Sequence, residues 1–411
     1  MNNKQRKYER RRNARIDKRN KDNELYNDFK TVFSYDHLLS AAKLCKRNVN
    51  WKASVQNFCR EFHYNVFCIH EDLMSGKFKV KSSYEFDTYE RGKKRHIRSV
   101  HIRERVVQRC LCDYCLTPIF EKTFIYDNSA SIKGKGVHFT LNRLTTHLQR
   151  YYRKHGNHGY VLVFDFKDFF GSISHEIIMN MVKERITDER IIEIIQLFVD
   201  MYDGDVGLGL GSQISQVFSL VAASPIDHLV KDKFRVKHYI RYMDDGIIIH
   251  HDKEFLVGLL EEIRGMAHEL GLELNESKTH ITKLENGFTF LKKRVSMSES
   301  GKITVKISRK SVTRMRRKMK KFRKMLDSGV LDYEAIRIAY DSWRGFAIKY
   351  NNYATIMSMD KLFDDLFADA KAAAPDINAY EPDDEAIVLA GELLYEMMDG
   401  DIEVSDLLFA A

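Results

Sequence analysis

No uninterrupted apolar run in these 411 residues approaches the ~20 needed to span a bilayer, and no signal-peptide pattern is present. The expectation is a cytoplasmic protein in a reducing compartment, with no membrane partner. Cysteine is scarce, six in all. Cys112-x-x-Cys115 has the spacing of zinc and redox motifs. No second Cys or His pair follows at finger spacing, and apolar residues recur at helical spacing around it, so these are expected to be cysteines in the core of a helix. Lys and Arg are missing altogether from residues 375–411, which carry eleven Asp or Glu. The first 374 residues therefore hold all 67 basic side chains against 47 acids, a charge of +20, although the whole chain is only +9. Such a surplus, gathered in runs, suits a polyanionic partner bound through counterion release.

What is present points to chemistry at three carboxylates. Tyr242-Met243-Asp244-Asp245 lies between a strand-like run (His238-Tyr239-Ile240-Arg241) and an apolar one (Gly246-Ile247-Ile248-Ile249), the pattern of a β-hairpin turn. Adjacent carboxylates at such a tip repel one another unless a cation lies between them, and oxygen donors favour a hard divalent metal. Asp165 follows another buried-strand pattern, Gly159-Tyr160-Val161-Leu162-Val163-Phe164. A carboxylate directly after a buried strand is costly unless paired or metal-bound. Two Mg²⁺ ions about 3.5–4 Å apart, shared by such carboxylates, activate an attacking oxygen and stabilise a leaving pyrophosphate.

These residues resemble the motifs of the reverse transcriptases, and the likeness runs over residues 84–353. Asp165-Phe166-Lys167-Asp168-Phe169-Phe170-Gly171-Ser172-Ile173 is similar to the palm motif with the first catalytic aspartate. Gly207-Leu208-Gly209-Leu210-Gly211-Ser212-Gln213-Ile214-Ser215-Gln216 resembles the template- and nucleotide-positioning loop, and Tyr242 to Asp245 the Tyr-x-Asp-Asp box. Gly271-Leu272-Glu273-Leu274-Asn275-Glu276-Ser277-Lys278-Thr279 resembles the motif that follows, and Phe288-Thr289-Phe290-Leu291 the primer-grip hairpin. Arg91-Gly92-Lys93-Lys94-Arg95 and Asp127 through Gly136 are similar to the fingers segments of bacterial, group II intron-like enzymes.

The resemblance implies an α+β right-hand polymerase with fingers, a ferredoxin-like palm and a helical thumb. Its divisions are a basic tail (1–22) expected to stay disordered until it meets RNA, a helical extension and fingers (23–158), a palm with interleaved fingers elements (159–300), a helical thumb (301–370) and an acidic tail (371–411). Within the palm the pattern predicts helices over 175–186 and 188–199, a helix over 218–234 broken by Pro225, and another over 254–270. These give the β-α-β-β-α-β order of a split ferredoxin-like unit. Helix 308–326 carries Val312, Met315, Met319, Phe322 and Met325 on one stripe opposite a basic face.

The activity implied is RNA-directed DNA synthesis from dNTPs on an RNA template, with two Mg²⁺ (or Mn²⁺) held by Asp165, Asp244 and Asp245. Phe170 matches the steric-gate position that excludes ribonucleotides. Backbone amides at Asp168 and Phe169 would hold the triphosphate, with Lys93, Lys94, Arg95 and Arg98 as clamping cations and Arg95 preferred for its fork of donors. Lys278 is either a general acid for the leaving pyrophosphate or a structural lysine. Leu210, Gly211 and Gln216 would line the nucleotide site. Leu210 and Gln216 depart from the Gln and Pro usual in the family, a form resembling diversity-generating and defence-associated enzymes. Partners implied are a cognate non-coding RNA and an accessory protein or a second copy of the chain. Two other readings stay open: a template-independent or protein-primed DNA polymerase of abortive-infection type, and an RNA-binding scaffold without activity, against which the intact aspartates argue.

Overall fold

The computed structural model describes residues 23–81, 83–90 and 93–373, together with the side chains of these residues except Tyr89, Glu90, Lys93 and Arg95. The basic tail and nearly all of the acidic tail lie outside the described residues.

Helices Tyr35–Cys45 (α1), Ala53–Arg60 (α2) and Phe62–Met74 (α3) precede a hairpin of Tyr84–Glu90 (β1) and Lys93–Ser99 (β2). The two strands pair antiparallel over their full length, from Tyr84 opposite Ser99 to Glu90 opposite Lys93. Helix Ile102–Leu111 (α4) runs into a π turn at Cys112–Leu116. Cys110, Cys112 and Cys115 are all inaccessible to solvent there, and burial pushes their thiols up. The reading of Cys112-x-x-Cys115 as helix core is thus correct. Helix Val137–His155 (α5) then leads to the central strand, Tyr160–Asp165 (β3).

The rest of the palm is His175–Lys183 (α6), Glu189–Val199 (α7), Gln213–His228 (α8), Tyr239–Tyr242 (β4), Asp245–His250 (β5), Lys253–Glu269 (α9) and His280–Lys283 (β6). The caps are local chemistry. Asp188 accepts from the amides of Arg190 and Ile191 to start α7, and Asp252 accepts from Glu254 and Phe255 to start α9. The sheet order is β4-β5-β3-β6, and every neighbouring pair is antiparallel. With the helices between, this is the ferredoxin-like arrangement expected.

Strand β3 reads as continuously apolar because both its faces are covered. Leu162 and Phe164 join Ile248 and Tyr239 in a core with α6 to α9 and the N-terminal helices. Val161 and Val163 join Ile247, Ile249 and Ile240 in a second core under α5. The helix expected over 218–234 differs in one respect. It starts earlier, capped by Ser212, and passes through Pro225 before a π turn at Leu229–Lys233. An internal proline costs about 3 kcal/mol, but α8 is buried on nearly every side, and that burial outweighs the lost hydrogen bond.

Strands Phe288–Phe290 (β7), Lys293–Met297 (β8) and Ile303–Ile307 (β9) form a separate antiparallel sheet. It continues past residue 300, the expected end of the palm. Its first hairpin turns on Leu291 and Lys292, at φ 46° and 61°, the left-handed pair of a primed two-residue turn. Helices Arg309–Asp327 (α10), Tyr333–Ala347 (α11) and Tyr353–Ala373 (α12) close the described chain around their own core of Met315, Met319, Phe322, Tyr340, Trp343 and Phe363.

Gly246 is directly opposite Phe164 in the β3–β5 register, and a Cβ there would land on the Phe164 ring. Gly246→Ala is expected to lower stability by about 1–3 kcal/mol through overpacking. Urea unfolding checks this, and an unchanged midpoint contradicts the packing described.

Candidate active site

Asp165 ends β3 and is directly opposite Asp245, the first residue of β5. Tyr242 pairs with the same Asp245, so Met243 and Asp244 form a two-residue tip, with Met243 at φ 51°. Such a turn needs a left-handed residue. Sheet pairing alone thus brings three carboxylates to one edge. Beyond it, the Phe166 amide donates to the Asp244 carbonyl at 3.3 Å, Lys167 to Glu273 at 2.8 Å, and Asn275 to the Asp165 carbonyl at 2.7 Å.

The Asp165 side chain is buried and held by cationic and amide donors. Lys278 Nζ is 2.8 Å from both carboxylate oxygens, and Asn275 Nδ2 donates to Oδ1 at 3.2 Å. Asp245 has the opposite environment. Removal from water, then the charges of Asp244 and Asp165, push its carboxyl well above the usual range, and Lys278 offsets this only in part. Burial alone would lower the Lys278 ammonium, but hydrogen bonds and charge from Asp165, with Asp245 and Asp244, hold it above its ordinary value. No set of three or more His, Cys, Asp or Glu side chains among the described residues is already arranged around a metal position. The donor set nevertheless fits a hard divalent cation. All three are oxygen ligands, and the excess negative charge that raises Asp245 is what such a cation would relieve.

Behind the tip is a pair that sequence reasoning missed. Arg241 and Asp227 are both entirely inaccessible to solvent. Arg241 Nε and Nη2 donate to Asp227 at 2.8 and 2.7 Å, and Tyr239 Oη donates to the same carboxylate at 2.7 Å. The remaining guanidinium nitrogen, Nη1, donates to the Met243 carbonyl at 2.8 Å, and the Arg241 amide donates to the Asp127 carbonyl at 3.2 Å. The clue in the sequence was an arginine within an apolar strand and an aspartate within an apolar helix. Asp127 itself receives Arg143 Nε at 2.6 Å and His147 Nε2 at 2.9 Å. Burial would raise its carboxyl, but those two bonds outweigh it and hold it at about 2.

The expected nucleotide-site residues converge from three segments. Residues 170–175 run beside 205–208: Leu208 donates to the Phe170 carbonyl at 2.7 Å and Gly207 to Ile173 at 2.8 Å. Phe170 is half-buried, and its ring meets Phe169 edge-on at 5.8 Å. Asp168 is left-handed at φ 44°, a conformation that turns successive backbone N–H groups toward one side. Its carboxylate folds so closely over Gly171 that a Cβ there would collide with it. Leu210 bridges to Ile97 of β2, and Gly211, at φ 98°, is next to Ile97 and Arg98. Gln216 accepts from Ser131 at 3.2 Å, joining α8 to the segment 127–136.

The clamping cations are arranged differently from the expectation. Arg98 is committed to Glu85 at 2.8 Å, Asp203 at 2.7 Å and the Met201 carbonyl at 3.0 Å. It ties the β1–β2 hairpin to the loop before Leu208. Lys94 pairs with Asp87 across the hairpin at 2.8 Å. The side chains of Lys93 and Arg95 lie outside the described residues. Lys278 stands on Asp165, at the edge that carries the three carboxylates.

With this geometry in view, the comparisons are decisive. The reverse transcriptase (RNA-dependent DNA polymerase) family matches residues 81–304, more than half of the chain. The chain is a reverse transcriptase. As such it is an RNA-directed DNA polymerase, a nucleotidyltransferase of right-hand polymerase fold that uses an RNA template and dNTPs. It is also similar to Protein YkfC of Escherichia coli (strain K12), with 23% identity over 274 residues, covering 56% of this chain and 71% of that one. No helix among the described residues of this reverse transcriptase is long and apolar enough to cross a membrane.

Removing one member of a buried ion pair strands its partner, at a cost of about 3–5 kcal/mol. Asp227→Asn is expected to lose stability on that scale in urea unfolding. The double variant Asp227→Leu/Arg241→Met is expected to recover most of it but to remain poor at primer extension, because the Met243 carbonyl has lost its donor. Full activity in the double variant would exclude a positioning role for Arg241.

Proposed function

We propose that this reverse transcriptase copies a dedicated structured RNA into cDNA by two-metal nucleotidyl transfer, within a retroelement or an antiphage defence locus. The observation that supports the mechanism most is the direct opposition of Asp165 and Asp245 across β3 and β5, with Asp244 at the adjoining tip. In this reading the three carboxylates hold the two Mg²⁺ ions, which when bound lower the pKa of the primer 3′-hydroxyl and neutralise charge on the triphosphate. The protein's own part is positional. Arg241 holds the tip, Asn275 and Lys278 orient Asp165, and Lys278 offsets negative charge at the edge. Backbone N–H groups around the left-handed Asp168 face the triphosphate, and Phe170, bonded through its carbonyl to the Leu208 amide, stands where a ribose 2′-hydroxyl would enter. Leu210 and Gly211 back the nucleotide against β2. The departures at Leu210 and Gln216 favour a dedicated template over general copying.

Two outcomes test this. Asp244→Asn with Asp245→Asn should abolish Mg²⁺-dependent primer extension while RNA binding stays within about twofold, since affinity comes from the basic surfaces. Retained extension would overturn the metal assignment. Phe170→Ala should admit ribonucleotides in incorporation assays with matched dNTP and rNTP pools, and unchanged discrimination would make Phe170 a packing residue only.

A further inference from the structure

At the end of the palm sheet away from the aspartates there is a cavity of about 620 Å³ whose lining holds five cations and no acid: Arg150 and Lys154 on α5, and Lys231, Arg235 and Lys237 in the segment leading to β4. His147 and His238 complete it, with their Nδ1 atoms 3.2 Å apart. Of the acids that act on Lys231, Asp127 is 3.9 Å away and already bonded to Arg143 and His147, Asp227 is taken up by Arg241 and Asp232 by His228. A further row of imidazoles adjoins the cavity, His155 stacking on His251 at 4.8 Å and His251 against His250 at 4.4 Å. His250 ends β5, whose first residue is Asp245, so this end of the sheet is roughly 17 Å from the catalytic edge at ~3.3 Å per residue.

The lining itself offers these cations no carboxylate. Burial, then the positive charges of His147, Lys231, His155 and Lys237, lower His238 to about 4, and burial, helped by the charge of Arg143, leaves Lys231 below its ordinary value although Asp127, Asp227 and Asp232 act the other way. Five cations lining one cavity without a carboxylate among them suit an anion, and they exceed what one small anion requires. Arg150 and Lys154 stand one turn apart on α5, the spacing that places two side chains on one face. An extended polyanion meets that arrangement. The enzyme's template is one, but the catalytic edge is at the other end of the sheet.

We propose that this cavity binds backbone phosphates of a folded RNA outside the polymerisation cleft, anchoring the RNA at the end of the palm sheet opposite the aspartates. The proposal rests on the RNA-directed reading above and can fail separately from it.

The test uses the full chain and its Arg150→Gln/Lys154→Gln/Lys237→Gln variant, with two probes: a folded tRNA for binding across a salt series, and a short poly(rA)·oligo(dT) duplex for extension. Each phosphate contact contributes about 0.7–0.9 to the log–log salt slope, so the variant's slope on tRNA should be shallower by about 2. Its kcat on the short duplex should equal the parent's, which also shows that it folds. An unchanged slope overturns the proposal. Equal losses on both probes overturn it too, by placing the cavity on the polymerisation path. If inorganic phosphate raises the melting temperature of the parent but not of the variant while the tRNA slopes agree, the cavity takes a small anion and the RNA assignment is wrong. Absence of extension by the parent would instead count against the polymerase reading and leave the binding result intact.

Discussion

The turn that carries Asp244 rests on an ion pair that never meets water. Arg241 and Asp227 are buried completely, a condition whose desolvation cost attraction alone does not reliably repay. Apolar residues of the same volume would fill that space. What they would not supply is a donor to the Met243 carbonyl, at a turn whose tip must present two carboxylates in a fixed direction. Tyr239 holds Asp227, Asp227 holds the guanidinium, the guanidinium holds the turn, and the Arg241 amide draws in the segment around Asp127. A strand, a helix and the segment around Asp127 thus meet at one residue.

The edge itself is assembled with its charges only partly balanced. Lys278 lies on Asp165, while burial, then the charges of Asp244 and Asp165, raise Asp245 in spite of Lys278. In the neighbouring loop the Asp168 carboxylate lies close over Gly171 and would have to swing aside for any side chain there.

Much of this was legible in the sequence, because the signals were periodic or paired. The continuous apolar run of β3 and the strand-like flanks of the hairpin identified the strands, Asp188 marked a helix start, and the three aspartates could be matched by order and spacing. The signals that failed were those that depend on what lies across space. Pro225 reads as a break only if its helix is assumed to be exposed. Arg98 and Lys94 look like free cations until Glu85, Asp203 and Asp87 are found beside them. Arg241 and Asp227 are fourteen residues apart in the chain and have meaning only as a pair. Asn275 lay inside a quoted motif, yet its bond to Asp165 requires the strand that brings it there.

The alternation of β3 between two cores has a consequence for how this sheet can vary. Val161 and Val163 belong to one core, Leu162 and Phe164 to the other, and β5 alternates in step. Losing or gaining one residue would send each set to the wrong face and would also move Asp165 off its opposite number. Size and shape of individual side chains can drift while the count of residues between Gly159 and Asp165 cannot. The strand works as a graduated scale read from both sides, and the aspartate is its zero mark.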